Sequence, residues 1–186
     1  MTNALRASRV ELVPIDPESR ERIFRWYQDP DLVAPFDRYE TEQYSSFLES
    51  LEGAADDPRS LAPRYAIRKR SDDTLLGCVG HYLAHPVLEY VDVWYVLGSP
   101  EERGHGYGTE AVGLLIDRVY RESHVERVGA TCDVENIGSI RILEKLGLRR
   151  EGTLHSALFH HGAWHDVHVY GTTRAEWARL RSSAHT

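Results

Sequence analysis

Behind Arg103 the chain sets three glycines at alternate positions, Gly104, Gly106 and Gly108, between an apolar run (Tyr90 to Leu97) and an amphipathic stretch. This is the most constraining feature of the sequence, because a strand has to end here, the backbone has to turn tightly, and a helix has to begin. The first turn of a helix carries N–H groups without intrahelical partners, and its dipole puts partial positive charge there. Glycines let a ligand come close to that backbone, so the geometry suits a diphosphate. Arg103 adds a charge-assisted contact. A Walker loop would need Gly-Lys-Ser/Thr, which is missing. A dinucleotide fingerprint would need G-x-G-x-x-G early in a β-α-β unit, whereas the spacing here is G-x-G-x-G after strands that look antiparallel. The plain alternative is a tight strand-to-helix turn with no ligand.

Periodicity orders the rest. Arg9 to Ile15 alternates as a strand. Pro17 opens a helix running to about Gln28, which Asp29-Pro30 ends. Tyr44, Phe47, Leu48 and Leu51 have helical spacing, so a second helix is expected over Thr41 to Glu52, followed by an acidic loop from Gly53 to Pro63. Three strands follow, Arg64 to Lys69, Leu75 to Ala84 and Tyr90 to Leu97, as an antiparallel meander. Gly108 to Arg121 is helical, Arg127 to Asp133 a strand, and Ser139 to Leu146 a helix stopped by Gly147. Strands around Leu148 to Phe159 and Asp166 to Thr172 close the series. The expectation is a single α/β (α+β type) domain over residues 9–181, with flexible ends at 1–8 and 182–186. Its mixed, mostly antiparallel sheet has about seven strands, flanked by about four helices.

Composition excludes some functions. The chain has 186 residues and a formal net charge of -7. That charge argues against nucleic-acid binding, which needs a basic face, and agrees better with a cationic substrate. No apolar run approaches the roughly 20 residues that span a bilayer. Two cysteines in strand-like runs and no signal-type start point to a reducing cytoplasm.

A second segment, Asp133-Val134-Glu135-Asn136-Ile137-Gly138-Ser139 through Glu144-Lys145-Leu146-Gly147-Leu148, follows a strand and opens a helix. With it, the chain resembles the GNAT N-acetyltransferase superfamily. The family's Gln/Arg-x-x-Gly-x-Gly/Ala signature matches Arg103, Gly106 and Gly108, and its Asn-x-x-Ser/Ala helix opening matches Asn136 and Ser139. The likeness is to the Rim-type branch of ribosomal-protein N-terminal and antibiotic N-acetyltransferases. The early Arg-Val-Glu-Leu-Val-Pro strand, Trp26 with Asp29-Pro30, and Glu176-Trp177 share that look.

The resemblance implies a sheet splayed in the middle, where two neighbouring strands part after a bulge and a pantetheine arm lies between them. It places acetyl-CoA as co-substrate on Arg103, Gly104, His105, Gly106, Tyr107, Gly108 and Thr109, with Asn136 and the main chain of Val96 and Leu97 along the arm. An extra residue near Gly98-Ser99 leaves the backbone register open by one position. The acceptor is a small-molecule amine or a protein N-terminus, attacking directly in a ternary complex. Asp92 is the candidate base, with Glu89 and His81 as alternatives. Ser139 is the candidate hydrogen-bond donor to the departing thiolate, since the position of the family's tyrosine reads Leu143. Structural readings stay open for Asp92 as a plain carboxylate and for Asn136 and Ser139 as helix-start residues.

Histidines 155, 160, 161, 165 and 168 lie on strand-like runs where neighbours alternate between faces, so no metal is expected. Cys132 reads as a buried small residue rather than a nucleophile. The rival function is a non-catalytic acyl-CoA-binding module that keeps the glycine turn and tolerates loss of Asp92 and Ser139. A homodimer is left open.

Overall fold

The computed structural model describes residues 5–29, 32, 64–85, 87 and 90–183. The helix expected over Thr41 to Glu52, the acidic loop after it and Glu89 lie outside the described residues. Two strands open the chain, β1 (Leu5–Arg6) and β2 (Val10–Pro14), and α1 follows over Pro17–Tyr27. Next come β3 (Arg64–Lys69), β4 (Leu75–His85) and β5 (Tyr90–Leu97). A 3-10 turn (Pro100–Glu102) leads to α2 (Tyr107–Glu122), β6 (Arg127–Asp133) and α3 (Ile137–Lys145). The chain ends on β7 (Arg149–His160), β8 (Ala163–Thr173) and α4 (Arg174–Ser183).

The eight strands of the described residues join one sheet in the order β1-β2-β3-β4-β5-β6-β8-β7. Among the described residues its only parallel neighbours are β5 and β6. The mixed, mostly antiparallel α/β architecture read from the sequence is therefore the observed one. Two parts differ from expectation. Leu5–Arg6, placed in a flexible end, pairs with Leu12 and Glu11. The C-terminal α4 was not foreseen, because among its residues only Trp177 is buried and it carries almost no apolar stripe.

Alternation sends each strand's side chains to two cores. On one face Val91, Val93 and Tyr95 pack with Val128, Ala130 and the α2 residues Ala111, Val112, Leu115 and Ile116. On the other face Val96 and Trp94 pack with Ile23, Tyr27 and Cys78 beneath α1. Asp16 caps α1 by accepting from the Ser19 N–H at 2.8 Å. At the far end of α2, Arg174 donates to the carbonyls of Ser123 and Val125 (both 2.8 Å) and of Tyr120, satisfying acceptors that a helix end leaves open. Tyr120 Oη accepts from the Val128 N–H at 3.1 Å and donates to Thr172 O at 2.7 Å, so α2 is stitched to β6 and β8. The hairpin β7–β8 turns through His161 and Gly162, both at positive φ (49° and 77°), the two-residue turn whose twist matches the flanking strands.

Candidate active site

The two parallel strands pair at only two positions, Val91 with Val128 and Asp92 with Gly129. Beyond Asp92 they part, as the resemblance implied. No bulge in β5 causes this, because β5 stays in continuous register with β4 from Val91 to Leu97. The irregularity lies in β4 instead, between Leu83 and His85. The Gly98 N–H bonds Leu76 O at 3.0 Å. Counting back by two, Val96, Trp94 and Asp92 turn their main-chain groups to β4, while Leu97, Tyr95 and Val93 turn theirs to the opening. This corrects the expected backbone contacts. Leu97 faces the gap, Val96 does not, and Tyr95 takes its place.

The glycine turn closes the wide end of the gap. Gly104 and Gly106 sit at φ 80° and 85°, a region that other residues enter only at a cost. Gly106 is the N-cap of α2, and no side chain caps that end. The first helical bond runs from the Glu110 N–H to Gly106 O at 3.1 Å, leaving the N–H groups of Tyr107, Gly108 and Thr109 without intrahelical partners. Gly108 is needed for packing, since a Cβ there would come within 2.7 Å of Ile142 Cδ1 and 2.8 Å of Leu97 Cδ1. Arg9 straps the turn from the start of β2. Its Nη1 donates to His105 O at 2.8 Å and its Nε pairs with Glu110 at 2.5 Å. The ring of Tyr107 lies against Arg9 and Lys69, and that of His105 stacks on it at 5.9 Å.

A groove of about 580 Å³ opens from this turn. Its walls include Arg103, Gly104, Gly106, Tyr107, Gly108 and Thr109 on one side and Asn136, Ser139, Arg141 and Lys145 on the other, with Tyr95 and Leu97 below. Arg103 is turned inward, donating from Nε and Nη2 to Leu97 O at 3.2 and 3.0 Å. The sequence reading missed Arg141 and Lys145, which look like ordinary solvent-facing cations of a helix. Asn136 Oδ1 accepts the Ser139 N–H at 3.0 Å, so Asn136 caps α3. The cap uses the backbone of Ser139 and not its hydroxyl. Leu143 is fully buried in the core, and a phenol reaches this helix start from Tyr95, which donates to Ser139 O at 3.4 Å.

Asp92 stands at the point where the strands part, its carboxylate lying over Gly129. Burial raises its pKa above the ordinary aspartate value, against the pull of Arg127 and a hydrogen bond with Tyr82. Arg127 is forked onto Glu151, which competes for its charge and lets burial prevail. His81 is opposite Val93 and therefore on the α2 face, whereas Asp92 is on the α1 face. Burial and then Arg118 lower the His81 pKa to about 4, which leaves it neutral and weakly basic at pH 7.

Burial, with Asp133 and Glu144 adding to it, pushes the Cys132 thiol up to about 12, so it is protonated at neutral pH and a poor nucleophile. A Cys132→Ala variant is expected to keep its turnover within about twofold, because no covalent acyl carrier is lost. A burst of acylated enzyme in rapid quench that disappears in the variant would refute this.

On the α1 face, beyond Asp92, the end of β6 meets the β7–β8 hairpin. Asp133, His160 and His165 converge there, with ligand-type atoms all within 4.8 Å of one another. His165 and His168 do point to opposite faces. The sequence reading did not bring in Asp133 from the neighbouring strand.

Residues 9–149 match the family model for the acetyltransferase (GNAT) domain, more than half of the chain. The chain belongs to the GNAT acetyltransferase family. This GNAT chain is 29 % identical over 116 residues to the uncharacterized N-acetyltransferase YnaD of Bacillus subtilis, covering 62 % of the chain and 67 % of YnaD. Two solved acetyltransferase structures share its fold. Spermidine N-acetyltransferase from Vibrio cholerae, in complex with CoA and spermine, superposes with TM-score 0.81 at 16 % identity, over 92 % of this chain and 99 % of that one. Ribosomal-protein-S5-alanine acetyltransferase from Vibrio fischeri superposes with TM-score 0.75 at 19 % identity, over 95 % and 99 % of the two chains. The protein is an N-acetyltransferase dependent on acyl-CoA.

Proposed function

We propose that the protein transfers acetyl from acetyl-CoA to a primary amine by direct attack within a complex of both substrates. One observation carries the reading. The unpartnered N–H groups at the start of α2 open onto a groove that runs along the unpaired edge of β5. Coenzyme A has the matching shape, a diphosphate at one end and an extended amide-bearing arm at the other. In the proposed site the diphosphate sits on Gly104, His105, Gly106, Tyr107, Gly108 and Thr109, with Arg103, Arg141 and Lys145 near its charge. The arm runs past Asn136 and the main chain of Tyr95 and Leu97. An amide N–H at the narrow end of the gap polarises the thioester carbonyl, a contact worth about 3 kcal/mol in other acyl transfers.

An ammonium ion cannot attack, so a base has to take the proton. Asp92 is the proposed base, since its raised pKa makes it a stronger one than a solvated aspartate. Ser139 is proposed to donate a hydrogen bond to the leaving thiolate. A Ser139→Ala variant is expected to lose about tenfold in kcat, the worth of one hydrogen bond of about 1.4 kcal/mol, with coenzyme A affinity unchanged. An unaltered kcat would leave Ser139 only its helix-start role.

The V. cholerae and V. fischeri enzymes are named for a polyamine and a ribosomal-protein alanine, which supports either a small-molecule amine or a protein N-terminus as acceptor. A cytoplasmic setting suits both, and no described helix is long and apolar enough to cross a membrane. The test is to incubate purified protein with acetyl-CoA and a panel of diamines, aminoglycosides and N-terminal peptides. Free thiol and product mass are then followed. A product heavier by one acetyl group is expected for one acceptor class. Tight acetyl-CoA binding with no thiol released by any class would favour a non-catalytic binding module.

A further inference from the structure

The cluster on the α1 face is unused by the acyl-transfer reading, and its chemistry differs. Asp133 is 2 % exposed and His160 6 %. Asp133 Oδ2 lies 2.5 Å from His160 Nε2 and 3.6 Å from His165 Nδ1. Glu135 Oε2, on the turn into α3, is also 3.6 Å from His165 Nδ1. One carboxylate and two imidazoles from β6, β7 and β8 thus converge, and the exposed Glu135 of the β6–α3 turn borders them at His165.

Several observations distinguish this group from a satisfied polar cluster. His165 has neither nitrogen hydrogen-bonded, since Nδ1 is too far from both carboxylates and Nε2 is buried without a partner. Nδ1, the nitrogen turned toward both carboxylates, is thus free to take an ion, while Nε2 keeps its buried place on the other side of the ring. The surrounding contacts are those that orient metal ligands. Asp133 Oδ1 accepts the Glu135 N–H at 2.6 Å, which aims Oδ2 at the histidines. His160 Nδ1 lies 3.2 Å from His161 Nδ1, which fixes the ring and leaves Nε2 for the inner side. A tetrahedral site with bonds of about 2.0–2.1 Å has ligand-to-ligand edges of about 3.3–3.5 Å. The two 3.6 Å gaps already approach that spacing.

We propose that Asp133, His160, His165 and Glu135 form a binding site for a divalent transition-metal ion of the zinc class, bolting the β7–β8 hairpin to the turn that carries Asn136. Coordination requires two local changes. The ion takes the place of the hydrogen between His160 Nε2 and Asp133. That hydrogen is lost to solvent while Nδ1 takes one up to face His161, so the ring stays neutral, and the 2.5 Å contact widens. The His160 and His165 rings, now stacked 3.6 Å apart, tilt so that each plane contains the ion. His165 can do so because no hydrogen bond holds it. Nitrogen and carboxylate donors without thiolates suit zinc, cobalt or nickel better than magnesium. The proposal is independent of the acyl-transfer reading and is tested without it.

Untagged protein, stripped with chelator, would be titrated with zinc by calorimetry and with cobalt(II) by visible absorption. One equivalent is expected to bind, with the intense absorption of tetrahedral cobalt and a higher Tm on zinc addition. His165→Ala is expected to weaken binding by more than the roughly 10- to 100-fold that loss of an outer contact costs. Glu135→Gln, on an exposed side chain that does not threaten folding, should weaken it as well. His155→Ala, outside the cluster, should leave it unchanged. No stoichiometric binding, or binding that His155→Ala weakens as much as His165→Ala, would overturn the proposal.

Discussion

A Gly106→Glu variant is expected to lose at least about 100-fold in coenzyme A affinity, or about 2.7 kcal/mol, while remaining folded. Three effects add. The new carboxylate competes for the N–H groups at the start of α2, repels the diphosphate, and is built on a residue at φ 85°. A Gly106→Ala control isolates the last of these, about 1–2 kcal/mol of backbone cost. Arg9, whose Nη2 lies 3.2 Å from the position of an added Cβ, would draw part of the new charge. It is already committed to Glu110 and His105 O, so it does not neutralise the plug. Calorimetry with coenzyme A, beside circular dichroism, gives the comparison. Unchanged affinity in a folded variant would remove the diphosphate from this turn.

Asp92→Asn should lower kcat by about 100- to 10,000-fold, the usual worth of a positioned base, with little change in acetyl-CoA affinity. In the parent protein kcat/KM should fall as pH drops through the raised pKa of Asp92, because the protonated acid accepts no proton. The stability effect has the opposite sense. A carboxyl whose folded pKa is raised contributes stability below its unfolded pKa, and that contribution is lost as pH rises through the folded value. The Asn variant has no charge to bury and should be at least as stable as the parent at neutral pH. Lost turnover with undiminished Tm separates a base from a structural carboxylate. Turnover within about threefold of the parent would eliminate Asp92 as the base.

What could be read in the sequence was what depends on near neighbours. The turn at Arg103 to Gly108 and the helix after it are set by residues a few positions apart, so both could be seen. The parting of β5 from β6 has no local mark, since nothing in Val91 to Leu97 says that a partner strand stops at Asp92. It came only through the family likeness, which also brought a bulge that β5 does not have. Val96 was assigned to the gap because the register was open by one position, and in a strand one position reverses the direction of every main-chain group. The cluster at Asp133 was invisible for a related reason. His160 is 27 residues from Asp133, and only the order β6-β8-β7 brings them together.

The two-position seam between β5 and β6 has a consequence for how the molecule comes apart. Across its middle the sheet is joined by Val91 with Val128 and Asp92 with Gly129, and by α2, which packs on β5 on one side and is bonded through Tyr120 to β6 and β8 on the other. Among the described residues this is the most sparsely paired seam in the sheet's interior, where a cooperative opening into two halves would begin. If the donor lies along the seam, each bound molecule acts as a missing strand and makes opening harder. At a donor concentration 100 times its dissociation constant the gain is about 2.7 kcal/mol, which lowers the opened population about 100-fold. Resistance to proteolysis would then rise and fall with the cell's acetyl-CoA, and the enzyme's abundance would follow the supply of the compound it consumes.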